Sequence, residues 1–482
     1  MSDVRRVSPR IPPDERYARR RRRVRIGAAA TAVTLLAATA VYFALWKPAK
    51  LTDSPDAFGA EMREVMGRIH DQNAEVRKKN PHDYVTIVVL LPLSAEWQAA
   101  GMSKVAMEHA LQGSYLAQLW HNTTQPKASR VRLLVGASGP DDWEDTVEDL
   151  RSRLIGDRIA AVVGLGASTA ATKHVITELG RDNVAMVAAV LTSDDVNARH
   201  GFVRLAPRNS DQAVAGARFV VDQSDKAIKA VIVEDTNPSQ HYSRTLHDNY
   251  KRVLERDKDV VLMPGLTFDS SNGTSGAVLS GNAQAICNSE ADYVFYAGRA
   301  EQLPTFLRGL NQWQGCVERG IRVIAPDDTS ELGKDESSTW QDSGEKIKLY
   351  YTALAHSANV TDPQSKILKS VRDRFGTAKD GYQNLFPNGS LDDGDAIMHY
   401  DAVCVAMKAI DDLLPEKANE GKQLEPKHVS ERLRSGSFIL DGASGHIEID
   451  KYGNASRPEL PVVRLMPNGD VRLEKLVSLA AR

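Results

Sequence analysis

From Tyr84 onward, short apolar bursts alternate with amphipathic stretches of helical period. "YVTIVVLLPL" (84–93) precedes a helix predicted near 103–121, "RVRLLVGAS" (130–138) one near 143–154, and "RIAAVVGLG" (158–166) one near 169–180, before "NVAMVAAV" (183–190). A second series runs "KAVIVEDT" (229–236), a helix near 241–256, "VVLMPGLTF" (260–268), a helix near 274–287, "ADYVFYAG" (291–298), a helix near 301–314, and "IRVIAPDD" (321–328). Apolar strands separated by helices predict βαβ units whose parallel sheets are buried on both faces. Two such series predict two sheets. In "FVRLAPRNSDQ" (202–212), Pro207, Arg208 and Asn209 break the periodicity, as a crossover between lobes does. After 328 a long polar stretch leads to the apolar helix "IMHYDAVCVAMKAIDDLL" (397–414), and the tail from Gly436 alternates as short strands joined by Gly and Asn turns. Upstream, "KPAKLTDSP" (47–55) reads as a linker and 56–80 as a helix. Its face of Phe58, Met62, Val65, Met66 and Ile69 is expected to pack on its own domain rather than to form a dimerising stalk.

Charge is almost balanced over the 482 residues, at −2, so the whole-molecule field singles out no partner. Its distribution says more. Residues 1–26 carry ten arginines against three acids, and Gly27–Trp46, "GAAATAVTLLAATAVYFALW", has no charge at all. Twenty helical residues span a bilayer core of about 30 Å. A cleaved signal peptide is the rival, since "ATA" at Ala38–Ala40 resembles a cleavage site. The apolar run continuing to Trp46 exceeds a signal core and favours an uncleaved single-pass anchor. Arginine-rich flanks stay cytoplasmic, which puts the main domain outside the cell membrane with Tyr42 and Trp46 at the outer interface. Contact of the arginines with anionic lipid heads suits this geometry better than a nucleic-acid-binding tail, and no nucleic acid is expected as partner.

Of three cysteines, Cys287 and Cys316 stand just before consecutive predicted strands, which are commonly neighbours in a parallel sheet. An extracytoplasmic setting permits oxidation, so a Cys287–Cys316 disulfide is expected, against the alternative of two free buried thiols. Cys404 lies in an apolar helical run and reads as a core residue. No spacing of cysteines or histidines suggests a metal, and no cofactor is expected.

The stretch "VVGLGASTAAT" carries the candidate chemistry. A dinucleotide loop needs a third glycine where Thr169 stands, and a P-loop needs Gly-Lys-Ser/Thr, which is missing. A nucleophile elbow around Ser168 would end in glycine rather than Ala170, and no histidine is selected as its base, so no enzyme is expected. Two uses remain open. Ser168 and Thr169 at a helix start can offer hydroxyls and N–H groups to an anion, or can simply cap their own helix.

In order and spacing, "TIVVLLPLS", "VVGLGASTAAT", "NVAMVAAVLTSDD" with "GFVRLAPRNSDQ", "VFYAGRAEQLPTFLRGL", "VIAPDD", "YDAVCVAMKAI" and "GASGHIEIDKYGN" together resemble the type I periplasmic binding proteins of the branched-chain amino-acid-binding family. The resemblance covers about 84–470 and implies an α/β fold of two Rossmann-like lobes with parallel sheets, here preceded by one transmembrane helix. The implied divisions are an arginine-rich segment (1–26), a membrane helix (27–46), a linker and juxtamembrane helix (47–82), a first lobe (83–207 with part of 327–430) and a second lobe (208–326 with part of 431–482). It also implies hinges near 207 and 326, and a ligand carboxylate held by Ser168, Thr169 and Thr192. Tyr242, Arg299 and Asp327 or Asp328 would face these from the second lobe, an acid pairing with the ligand ammonium. Arg299 departs from the family pattern: it would favour an acidic ligand group or pair with Asp327 or Asp328. The implied function is to bind a small amino-acid-like solute for an ABC permease. A sensory or regulatory ectodomain signalling through a partner is the alternative.

Overall fold

β1 (Leu51–Thr52), β2 (Tyr84–Leu91), β3 (Arg130–Ala137), β4 (Ile159–Gly164), β5 (Met186–Ala188) and β6 (Phe202–Arg204) form a first sheet in the order β1-β3-β2-β4-β5-β6. Every pairing is parallel except β1 on β3. Ile87, Val89 and Leu91 enter a core on one face, Val88 and Leu90 a core on the other. Burial on both faces is why the strand reads as an unbroken apolar run. The computed structural model describes residues 50–479 apart from 82, 95–99, 126–128, 197–199, 334–337, 344–345, 421–423 and 457–458. The expected membrane helix at 27–46 lies outside the described residues, and among those described no helix is long and apolar enough to cross a membrane.

The helix expected over 56–80 starts at Arg63, after a run of turns, and runs to Lys79. It packs into the first lobe, as its apolar face leads one to expect. Val65, Met66 and Ile69 enter the first core, and Leu51–Thr52 pairs with β3. Beyond that short pairing, side-chain amides satisfy the edge of β3. Asn73 Nδ2 donates to the Leu133 carbonyl at 2.6 Å and its Oδ1 accepts from the Leu133 N–H at 3.0 Å. Asn122 repeats the pattern at Val131, at 2.9 and 2.8 Å. Buried backbone groups need partners, and an amide side chain supplies both a donor and an acceptor.

The second sheet begins with β7 (Ile228–Asp235), β8 (Val260–Leu262), β9 (Leu266–Phe268), β10 (Tyr293–Ala297), β11 (Ile321–Ala325) and β12 (Ile347–Thr352). The chain then builds a small antiparallel sheet from β13 (Phe438–Asp441), β14 (His446–Ile449) and β15 (Ala455–Ser456) before β16 (Glu459–Leu465) and β17 (Val471–Ser478) complete the larger one, in the order β17-β16-β12-β11-β10-β7-β8 with β9 also on β7.

Three details differ from the sequence expectation. The single strand at 260–268 is two, because Pro264 has no N–H to give the ladder: β8 pairs with the first half of β7 and β9 with the second. The second hinge is not near 326, since the chain stays in the second sheet through β12 and leaves it at 353. Phe438, Ile447 and Ile449 of the small sheet enter the first core, so only β16 and β17 of the tail join the second sheet.

Cys287 and Cys316 form the disulfide, with Cα atoms 4.8 Å apart, joining the segments that lead into the neighbours β10 and β11. Cys404 is a free thiol packed against the first core, and burial pushes it up to about 12.

Two outcomes are expected. Labelling of protein unfolded without reductant should find only Cys404 reactive, and Cys316→Ser should lower stability to denaturant by about 3 kcal/mol; labelling of all three would exclude the bond. Asn73→Ala leaves the Leu133 N–H and C=O unpaired and should cost about 2 kcal/mol, read from the urea midpoint.

Candidate functional site

The carboxyl ends of β4 and β5 face those of β10 and β11 across a cleft, where open α/β sheets place ligands. Residues 164–166 all have positive φ, 85° at Gly164, 69° at Leu165 and 68° at Gly166. This sharp turn brings Ser168 against the loop after β5. There its Oγ accepts the N–H of Thr192 at 3.2 Å and of Ser193 at 3.1 Å. Buried Arg204 holds the same loop from behind, donating to the Ser193 carbonyl at 2.9 Å and to that of Val196. Burial lowers the pKa of Arg204 to about 10, so it stays a cation near neutrality. Thr169 instead caps its own helix, accepting from the Thr172 N–H at 3.2 Å, and does not border the cavity. Of the anion-binding groups expected on this wall, the Ser168 and Thr169 hydroxyls and the Thr192 N–H are therefore engaged inside it. What Ser168 presents to the cleft is its carbonyl oxygen.

On the facing wall, Tyr242 stands in the first turn of helix His241–Leu254 and donates its hydroxyl to Asp327 Oδ1 at 2.7 Å; Asp328 Oδ1 lies at 3.4 Å. Gln212 donates to the same Asp327 oxygen at 2.7 Å and is itself oriented by Thr352 at 2.6 Å. Arg299, just after β10, crosses the cleft. Its Nη2 donates to the Ser168 carbonyl at 3.0 Å, its Nε to Gln240 Oε1 at 3.3 Å, and Nη1 lies 3.6 Å from Asp328 Oδ2. Its guanidinium carbon sits 3.9 Å from the Tyr242 ring centroid. Gly101 leaves it room: a Cβ there would stand 3.3 Å from that carbon, and φ at Gly101 is 64°. The structure thus gathers Ser168, Thr192, Tyr242, Arg299, Asp327 and Asp328 around one cavity and leaves Thr169 out.

Three further acids border it: Glu331, Asp393 and Asp395. Glu331 accepts the N–H of Ser103, the cap of helix Lys104–Thr124, at 2.5 Å and so ties the lobes together. Asp393 pairs with buried His109. Burial pushes the carboxyl of Asp328 up to about 7, although Arg299 opposes the rise, and that of Glu331 up to about 8. Burial also raises Asp327, and Asp395 still more, where the neighbouring Asp393 adds to the effect. The signal for two of these acids was "SLDDGD", an acidic run directly before the apolar helix at 397–414, which reads as a solvated helix start. Near the crossover the lobes also meet through Asp195, 3.1 Å from both His241 and Arg244, and Asp194, 2.9 Å from Asn249. Between the walls only about 20 Å³ remains, room for a water molecule and not for an amino acid.

No family model and no curated protein matches the chain. Solved structures do. A leucine-binding protein, LivK, from Thermotoga maritima is 17% identical with a TM-score of 0.60, covering 82% of this chain and 99% of that one. LivJ from Streptococcus pneumoniae, a branched-chain amino acid transporter substrate-binding protein in complex with isoleucine, is 13% identical with a TM-score of 0.59 and covers 82% and 99%. A solute-binding protein of an ABC transporter from Rhodopseudomonas palustris, holding 3,4-dihydroxybenzoic acid, is 12% identical with a TM-score of 0.58 and covers 83% and 99%. These neighbours are type I periplasmic binding proteins, and the chain has their two-lobed α/β fold.

The buried acids predict a pH dependence. With a folded pKa raised to about 8, Glu331 keeps a proton that the unfolded chain releases near pH 4, so stability falls as pH rises between those values. The thermal midpoint of the protein should drop from about pH 5 to about pH 8.5, and Glu331→Gln should flatten that slope. A parallel slope in the variant would mean that Glu331 is ionised throughout.

Proposed function

We propose that the chain is a membrane-anchored, extracytoplasmic receptor that closes two lobes on a small polar, amino-acid-like ligand and delivers it to an ABC-type permease. The observation that carries this reading is the set of polar groups converging from both lobes on one buried point: the Ser168 carbonyl from the first, Tyr242, Arg299, Asp327 and Asp328 from the second. Ligand sites combine a concave, sheltered position with few convergent polar groups. The fold shared with amino-acid-binding proteins supports the ligand class, and the charge-free segment 27–46 behind ten arginines supports the anchor. Catalysis is no part of the proposal: Ser168 Oγ is taken by two N–H groups, and among the described residues no imidazole bonds it.

One observation favours a second use of the same fold, as a sensory ectodomain acting through a protein partner. The cleft is already filled by Arg299 and closed by bonds between the lobes. A ligand has to displace that side chain, whereas a signalling domain can work with the cleft as it stands.

The two part in a thermal-shift screen of the full-length protein in detergent against amino acids, small carboxylates, amines and sugars. A true ligand at 100 times its Kd adds about 2.7 kcal/mol to stability. Asp327→Asn should abolish that shift while leaving the circular dichroism unchanged. No shift across the panel would reject the transport reading and favour the sensory one.

A further inference from the structure

On the premise that the cleft is a small-ligand site, we infer that its inner end is a seat for an organic cation: the ligand bears a net positive charge, and its ammonium or guanidinium group lies against Asp395, between Asp393 and Glu331. The cavity is bordered by five carboxylates, from Asp327, Asp328, Glu331, Asp393 and Asp395, and one guanidinium, that of Arg299. Four of the acids have partners. Asp327 takes Tyr242 and Gln212, Asp328 takes the Ala300 N–H and faces Arg299, Glu331 takes the Ser103 N–H, and Asp393 takes His109 and the Asp395 N–H. Asp395 is different. It is 5% exposed, borders the cavity, and its Oδ1 has no hydrogen-bond partner among the described residues.

Among the described residues, nothing around Asp395 neutralises it. The nearest basic group is His399, whose Nδ1 lies 3.8 Å from Oδ1 but is bonded to the Asp395 carbonyl at 2.9 Å. Burial lowers the His399 pKa to about 4, so the imidazole is neutral. His109 is raised, because Asp393 outweighs the burial that opposes its charge, and that charge is already answered by Asp393. Glu331 and Asp327 face Asp395 from the second lobe and carry the same sign. Arg299 is committed to Ser168 and Asp328. A buried carboxylate without a counter-charge is costly, and an incoming cation removes that cost.

The seat suits an organic cation rather than a metal ion. Among the described residues no group of three His, Cys, Asp or Glu side chains is arranged to hold a metal. Meanwhile the protein's own guanidinium already lies in the cleft, on a backbone carbonyl, over the Tyr242 ring and beside a carboxylate. These are the contacts by which cationic groups are recognised. Glu331, pushed up to about 8 by burial, holds a proton near neutrality in the free protein. A bound cation beside it favours the ionised form, so binding releases that proton and tightens as pH rises.

Calorimetric titration of the full-length protein with agmatine, putrescine, L-arginine, L-leucine and succinate tests this at about pH 6 and about pH 8.5. At least one of the three basic compounds should bind, about tenfold or more tightly at the higher pH, with a heat that depends on the buffer's ionisation enthalpy. Asp395→Asn should weaken it by about tenfold or more, and Glu331→Gln should reduce the proton release. Binding of L-leucine or succinate with silence from the bases overturns the cation seat and leaves the receptor standing. So does a base whose affinity is unchanged in folded Asp395→Asn. Silence from all five compounds rejects the small-ligand site and the seat together.

Discussion

The Arg299 guanidinium is the constraint around which the cleft is arranged. It leaves one lobe and ends on the carbonyl of Ser168 in the other, so it is both the main occupant of the cavity and a tie across it. A buried cation needs its hydrogen bonds and a counter-charge, and the surrounding residues answer that need from different strands. Ser168 supplies the carbonyl after the turn at 164–166, Asp328 the charge after β11, Tyr242 the ring from the helix after β7, and Gly101 the space. None of these is near another in sequence except through the sheets. The parallel topology puts all of these strand ends on one side, which is how short loops reach a common point.

The same need explains why Asp327 is held so firmly. Its Oδ1 accepts from both Tyr242 and Gln212, and Gln212 is turned by Thr352 of β12, the last strand before the chain crosses back. These bonds fix the orientation of the acid. Asp395, by contrast, is positioned by the backbone at the start of a long helix, with no side chain among the described residues contacting its Oδ1 in a hydrogen bond. One acid is fixed by two side chains; the other keeps an oxygen with no hydrogen-bond partner among the described residues.

The fold was legible because burial on both faces writes strands as apolar runs, and β2, β4, β7, β10 and β11 were visible on that ground alone. β12 was not. "KIKLYYT" lies within a polar stretch, and without it the second crossover was placed near 326 instead of 353. Of the candidate residues, Ser168, Thr192, Tyr242, Arg299, Asp327 and Asp328 surround the cavity, whereas Thr169 caps a helix. Capping and ligand binding ask for the same hydroxyl at the same place in a helix start, so local sequence does not separate them. Asp393 and Asp395 escaped for a related reason. Acids ahead of an apolar helix are the common first-turn pattern, and only the packing of that helix against Lys104–Thr124 turns them inward.

A cleft that closes on its own arginine changes what ligand affinity measures. Closure here is already supported by Glu331 on Ser103, Asp195 on His241 and Arg244, and Asp194 on Asn249, all of which join the lobes without a ligand. A ligand shifts such an equilibrium only by the difference between its contacts and those it replaces. Displacing Arg299 loses the Ser168 bond and leaves Asp328 without its nearest cation, unless the ligand brings one. A neutral or anionic ligand would add that loss to the acids already unbalanced in the cavity. A cationic one restores the charge that Arg299 takes away and answers Asp395 as well. Discrimination is thus built into the cost of opening, through the acids that a wrong ligand would leave unpaired.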